Sequence, residues 1–184
     1  AALLNQPLCY HDKDATTESL LAHVDRAWAV VRARRIEGTE LAAYGHGDWN
    51  DALQPADPRL RERLCSAWTV TLHVRTLRAW VRAWQRLGQP ERASAMQAWC
   101  DAVMADFQRL LVVDGVVVGY ASFEPGQPVE HLLHPRDART GIHHSALPMV
   151  HGIIDELFTP EQAVAHVALI DQHLSGPDGL RLFD

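Results

Sequence analysis

Apolar residues recur at helical spacing through most of the chain. Leu20, Leu21, Val24, Ala27, Trp28 and Val31 return every three or four residues and predict a helix over 15–35, with Asp14 as its cap and Gly38 breaking the pattern. Residues 39–56 carry no such period and predict a loop. Asp57-Pro58 reads as the cap and first turn of a second helix reaching about Leu87. Val70, Val74, Leu77, Val81 and Trp84 form one stripe along it, and Leu60, Leu64 and Trp68 a displaced one, so this helix is expected to be buried on two sides. Gly88-Gln89-Pro90 ends it and opens a third, about 90–111, with Met96, Cys100, Val103, Phe107, Leu110 and Leu111 on one face.

The pattern then changes. Val112-Val113, Asp114-Gly115 and Val116-Val117-Val118 predict a short hairpin within 112–124, turning at Asp-Gly. Residues 125–144 are a polar loop rich in Pro, His and Arg. A helix is expected at about 145–157, with Pro148 early in it. Thr159, Pro160 and Gln162 form a capping-box signal for a last helix reaching Leu174. The sum is an all-α fold in one unit, with one short β-hairpin and with its chemistry on the loops between helices.

Composition narrows the function classes. With 184 residues, 47% of them hydrophobic, the chain can bury a sizeable core. A net charge of −6 gives no electrostatic footprint for nucleic acid or an anionic membrane. No apolar run of membrane-spanning length is present. Cys9, Cys65 and Cys100 are widely spaced and fit free thiols in a reducing, cytoplasmic compartment. The chain opens Ala1-Ala2 and closes Leu182-Phe183-Asp184, and both ends are expected to be cut from a longer polypeptide.

The stretch with the densest chemistry is Gly45-His46-Gly47-Asp48-Trp49-Asn50-Asp51. Glycines allow a ligand to approach the backbone closely, Trp offers a flat apolar face, and a carboxyl with a raised pKa can donate a proton. That combination suits a sugar ring held while its glycosidic oxygen is protonated. Read as structure alone, the same residues make an ordinary turn with an Asp cap.

Gly47-Asp48-Trp49-Asn50-Asp51 resembles the signature of the inverting disaccharide phosphorylases, glycoside hydrolase family 94. Pro7 to Tyr10 and the helix with Glu18, His23 and Ala27 resemble the segment before that signature. Asp48 to Pro58 and Cys65-Ser66-Ala67-Trp68-Thr69 are most similar to the β-1,2-oligoglucan phosphorylase branch, as are Leu132-Leu133-His134-Pro135-Arg136-Asp137, Leu147-Pro148-Met149, Leu157 to Gln162 and Gly176-Pro177-Asp178-Gly179. The resemblance implies that residues 1–184 are a middle segment of an (α/α)6-barrel catalytic domain. It places the general acid at Asp51, the wall of the sugar subsite at Trp49, and loop shaping or sugar hydroxyl binding at Asp48. Arg136, Asp137, His143 and His144 are the polar-loop candidates for substrate contact. The implied partners are an oligosaccharide and inorganic phosphate, the latter a co-substrate rather than a cofactor, with a homodimer as a further expectation. The family's principal phosphate ligands fall outside this segment, and Thr140-Gly141 is too early in the order to supply them.

Three other readings stand beside this one. His131, His134, His143, His144 and His151 invite metal binding, but no ligand spacing on one helix face appears, and no metal is expected. An isolated segment without the phosphate ligands could be an inactive or glycan-binding barrel fragment. An inverting hydrolase of the same barrel type would need a second carboxylate, for which Asp137, Asp155 and Glu130 are candidates.

Overall fold

The computed structural model describes residues 2–9, 17–45 and 57–184. Among these the architecture is mostly α, with five α-helices and four small antiparallel sheets. The chain begins with a strand pair, β1 (Pro7–Cys9) and β2 (Thr17–Ser19). Helix α1 (Leu20–Ala33) follows, capped by Ser19, whose hydroxyl accepts from Ala22 N at 3.2 Å. The expected start near 15 is therefore corrected, because residues 17–19 extend to pair with 7–9. Asp14 lies outside the described residues.

The expected single helix over 57–87 is also corrected. Asp57 caps only a five-residue 3-10 turn, Pro58–Glu62. Leu64–Ser66 then extends as β3 and pairs with β6 (Tyr120–Ser122), which pairs in turn with β7 (Glu130–Leu132). Ser66 caps a new helix, α2 (Ala67–Arg86). The apolar Leu60 and Leu64 thus belong to a turn and a strand, not to a second helical stripe. Strand β7 also gives regular structure to part of the predicted polar loop.

Helix α2 is the centre of the core. Its stripe of Val70, Val74, Leu77, Val81 and Trp84 is buried, as the spacing predicts. It packs chiefly on α3 (Pro90–Asp106), which buries Met96, Trp99, Cys100 and Val103. The helical path continues through a π-turn, Phe107–Leu111, whose Phe107 and Leu111 are buried. Strands β4 (Val112–Val113) and β5 (Val116–Val117) form the expected hairpin. Asp114 and Gly115 take φ of 50° and 81°, the positive values a two-residue type I′ turn demands.

Helix α4 (Ala146–Ile154) packs on α2 and on α5 (Pro160–Leu169). The capping box is present: Gln162 N donates to Thr159 Oγ1 at 3.2 Å, and Thr159 N donates to Gln162 Oε1 at 3.0 Å. A π-turn, Ile170–Leu174, leads to a final hairpin of β8 (Ser175–Gly176) and β9 (Gly179–Leu180). The expected single hairpin is therefore one of several small sheets.

One stack of rings joins the two halves of the core. Phe107 meets Phe158 at 5.9 Å, and Phe158 lies flat on His166 at 4.0 Å. Gly152 sits against Phe158 so closely that a Cβ there would fall 2.3 Å from the ring, which explains a glycine inside α4. The His166 ring is fixed at both ends. Its Nε2 accepts from Val117 N at 3.0 Å, and its Nδ1 donates to the Gln162 carbonyl at 2.7 Å.

Burial lowers the pKa of His166, and that of His131 and His134 too. It takes His73, on α2, from 6.5 down to about 4. The unfolded chain therefore binds protons that the folded chain refuses. Stability is full above pH 6.5 and falls as pH drops toward about 4, by an amount on the order of 3 kcal/mol from His73 alone. Urea midpoints taken across that range test this, and a midpoint that does not move would contradict it.

Candidate functional site

The segment that carries Asp48, Trp49 and Asp51 lies outside the described residues, but its two roots are described. Tyr44 N donates to Leu64 O and Gly45 N to Arg61 O, each at 2.7 Å. The chain entering the segment is thereby tied to the chain leaving it. Both Gly45 and Pro58 line a cleft of about 860 Å³. The same cleft is lined by Arg34, Arg35, Arg61 and Arg63, and by Glu37, Glu62 and Glu124. Arg63 pairs with Glu124 at 2.7 Å, and Arg35 pairs with Glu40. A guanidinium-rich cleft of this kind suits oxyanions and sugar hydroxyls.

The polar-loop candidates fall into three settings. Arg136 is exposed and pairs with Asp114 at the hairpin turn. Asp137 is buried, and its carboxylate accepts from Leu133 N at 2.7 Å, Arg139 N at 2.8 Å, Thr140 N at 3.0 Å and the Thr140 hydroxyl at 2.5 Å. Burial opposes its charge, but these donors outweigh the burial and hold its pKa below the ordinary value. Both oxygens of Asp137 therefore organise the loop. His144 is buried at the foot of α4, where its Nδ1 lies 2.6 Å from Asp184 Oδ2 and its ring stacks on His173 at 4.2 Å. His143 is half exposed, 3.9 Å from the same carboxylate oxygen.

The other histidines named from the sequence are used locally. His134 Nε2 donates to the Val113 carbonyl at 3.1 Å and its Nδ1 accepts from Arg136 N at 3.1 Å, tying the polar loop to the hairpin. His151 Nδ1 lies 3.4 Å from Asp155 Oδ2. Cys65 and Cys100 are free and buried, and burial raises both thiol pKa values, which leaves them poor nucleophiles. Sequence reasoning missed His173 and Asp184, because nothing in their spacing connects them to His144.

No protein-family model matches the chain. It is similar to a phosphorylase. The 1,2-beta-oligoglucan phosphorylase of Listeria innocua serovar 6a (strain ATCC BAA-680 / CLIP 11262) is 32% identical over 188 residues, covering 99% of this chain and 17% of that protein. The chain thus spans about a sixth of the length of the relative it matches. The likeness supports a phosphorylase-like relationship. No helix among the described residues is long and apolar enough to cross a membrane.

Proposed function

We propose that this chain is the acid-bearing segment of a glycoside phosphorylase of the glycoside hydrolase family 94 type. It belongs to an (α/α)6-barrel catalytic domain that cleaves β-1,2-oligoglucans or cellobiose-like β-glucosides. The observation that carries the reading is that Gly45 and Pro58, on either side of the segment with Asp48, Trp49 and Asp51, both line the arginine-rich cleft. The similarity to a β-1,2-oligoglucan phosphorylase across nearly the whole chain supports it independently.

In this reading Trp49 offers its face to the sugar and Asp51, protonated, gives its proton to the glycosidic oxygen. A phosphate oxygen attacks the anomeric carbon from the opposite face. The carbon–oxygen bond to the leaving sugar breaks, that sugar departs as an alcohol, and α-glucose 1-phosphate forms with inversion. Phosphate is already a nucleophilic anion, so no second carboxylate is needed to activate water. Asp48, Arg136, Asp137 and His144 stand as the proposed substrate-site residues, Asp137 and His144 through the loop they order. The enzyme is proposed to be cytoplasmic, with phosphate as co-substrate and a homodimer as its assembly.

A hydrolase is the less favoured reading, because its candidate bases are engaged elsewhere. Asp137 serves its loop, Glu130 pairs with Arg139 at 2.9 Å, and Asp155 lies near Arg75 and His151. The test is to incubate the polypeptide containing this segment with β-1,2-glucooligosaccharides and cellobiose, with and without phosphate. Phosphate-dependent glucose 1-phosphate is expected. Reducing sugar released equally without phosphate would overturn the proposal in favour of hydrolysis.

A further inference from the structure

Three segments distant in sequence meet around Asp184. His144 lies in the loop before α4, His173 in the π-turn after α5, and Asp184 in the stretch after β9. Backbone contacts hold them in place. Ala146 N donates to Leu182 O at 2.9 Å, Ser145 bridges Phe183, and Arg181 N donates to Leu174 O at 2.8 Å. Asp184 Oδ1 accepts from His143 N at 2.8 Å and His144 N at 3.0 Å.

His144 Nδ1 and Asp184 Oδ2 share one proton, and a metal ion can take that proton's place between the nitrogen and the carboxylate oxygen. Both ring nitrogens of His173 are without a hydrogen bond among the described residues. One donor atom from each of His144, His173 and Asp184 lies within 4.8 Å of the others. The two rings are stacked, 12° from parallel, so the half-buried His173 must turn about its Cβ–Cγ bond for its in-plane lone pair to meet an ion held by His144.

We propose that His144, His173 and Asp184 form a binding site for a divalent transition-metal ion of the zinc type. Two imidazoles and one carboxylate are a zinc donor set, and three protein ligands leave a fourth position for water or an anion. Calcium and magnesium require mostly oxygen ligands, and this set offers too few. Bound metal would clamp the π-turn after α5 and the stretch after β9 to the foot of α4. The proposal does not rest on the phosphorolysis reading, and a metal ion held by His144 would take that ring away from direct substrate contact.

The experiment uses zinc ion alone, equilibrated with the chain as its gene produces it, followed by dialysis and elemental analysis. One zinc per chain is expected to be retained and to raise the unfolding temperature. His173→Gln, at a half-buried ring, and Asp184→Asn are each expected to weaken binding at least about tenfold. His131→Gln is expected to bind as the parent does. Circular dichroism establishes that each variant is folded, and if Asp184→Asn does not fold, His173→Gln decides alone. No zinc retained by the parent, or retention equal in His173→Gln, would overturn the site.

Discussion

Asp51→Asn is expected to lower phosphorolysis of unactivated β-glucosides about 10²–10⁴-fold, the usual contribution of a positioned proton donor. Asn keeps the shape of Asp and cannot supply the proton. The loss should therefore fall on kcat and leave KM nearly unchanged. A glucoside whose leaving group departs readily as an anion should lose much less, since it does not need the proton. Steady-state kinetics on both substrate types, in the polypeptide that contains this segment, measures the difference. A variant with parental kcat on the unactivated glucan would remove Asp51 from the role. A loss equal on both substrate types would point to a structural part instead.

Phe107→Ala is expected to cost about 3–5 kcal/mol of folding stability, as large aromatic deletions in a tight core do. Phe107 is fully buried on the π-turn that ends α3, with its ring against Phe158. Phe158 supports His166, and His166 holds the backbone of β5 through Val117. Deleting the first ring thus leaves a cavity and loosens the contact that orients the histidine. Domains are stable by only about 5–15 kcal/mol, so the loss is a large fraction of the total. Urea unfolding of parent and variant checks it. A change below about 1 kcal/mol would mean the stack collapses to fill the space.

What was legible in the sequence is what short-range chemistry decides. The stripe from Val70 to Trp84 marks the buried face of α2, the Asp114-Gly115 turn takes the two positive φ values it needs, and Thr159 and Gln162 form their capping box. Strand β3 was hidden because its partner, Tyr120–Ser122, lies more than fifty residues away, while Leu60 and Leu64 happen to continue a helical period. Such pairing is a tertiary contact that propensity cannot report. The burial of Asp137 was not legible either, because three of its four donors are backbone amides, which carry no residue signature. The meeting of His144, His173 and Asp184 depends on three segments and could be seen only once they were folded. For the proposed acid the position is reversed. The motif around Asp51 was the strongest signal in the sequence, and the described fold adds the cleft lined by Gly45 and Pro58, which flank its segment.

The central claim is inverting phosphorolysis of a β-glucan by the polypeptide that carries this segment. Proton NMR of the reaction with a β-1,2-glucooligosaccharide, followed from the first turnovers with phosphate present, tests it most directly. The account predicts α-glucose 1-phosphate as the first product and none without phosphate. Free glucose forming at the same rate with or without phosphate, and no sugar phosphate, would contradict it.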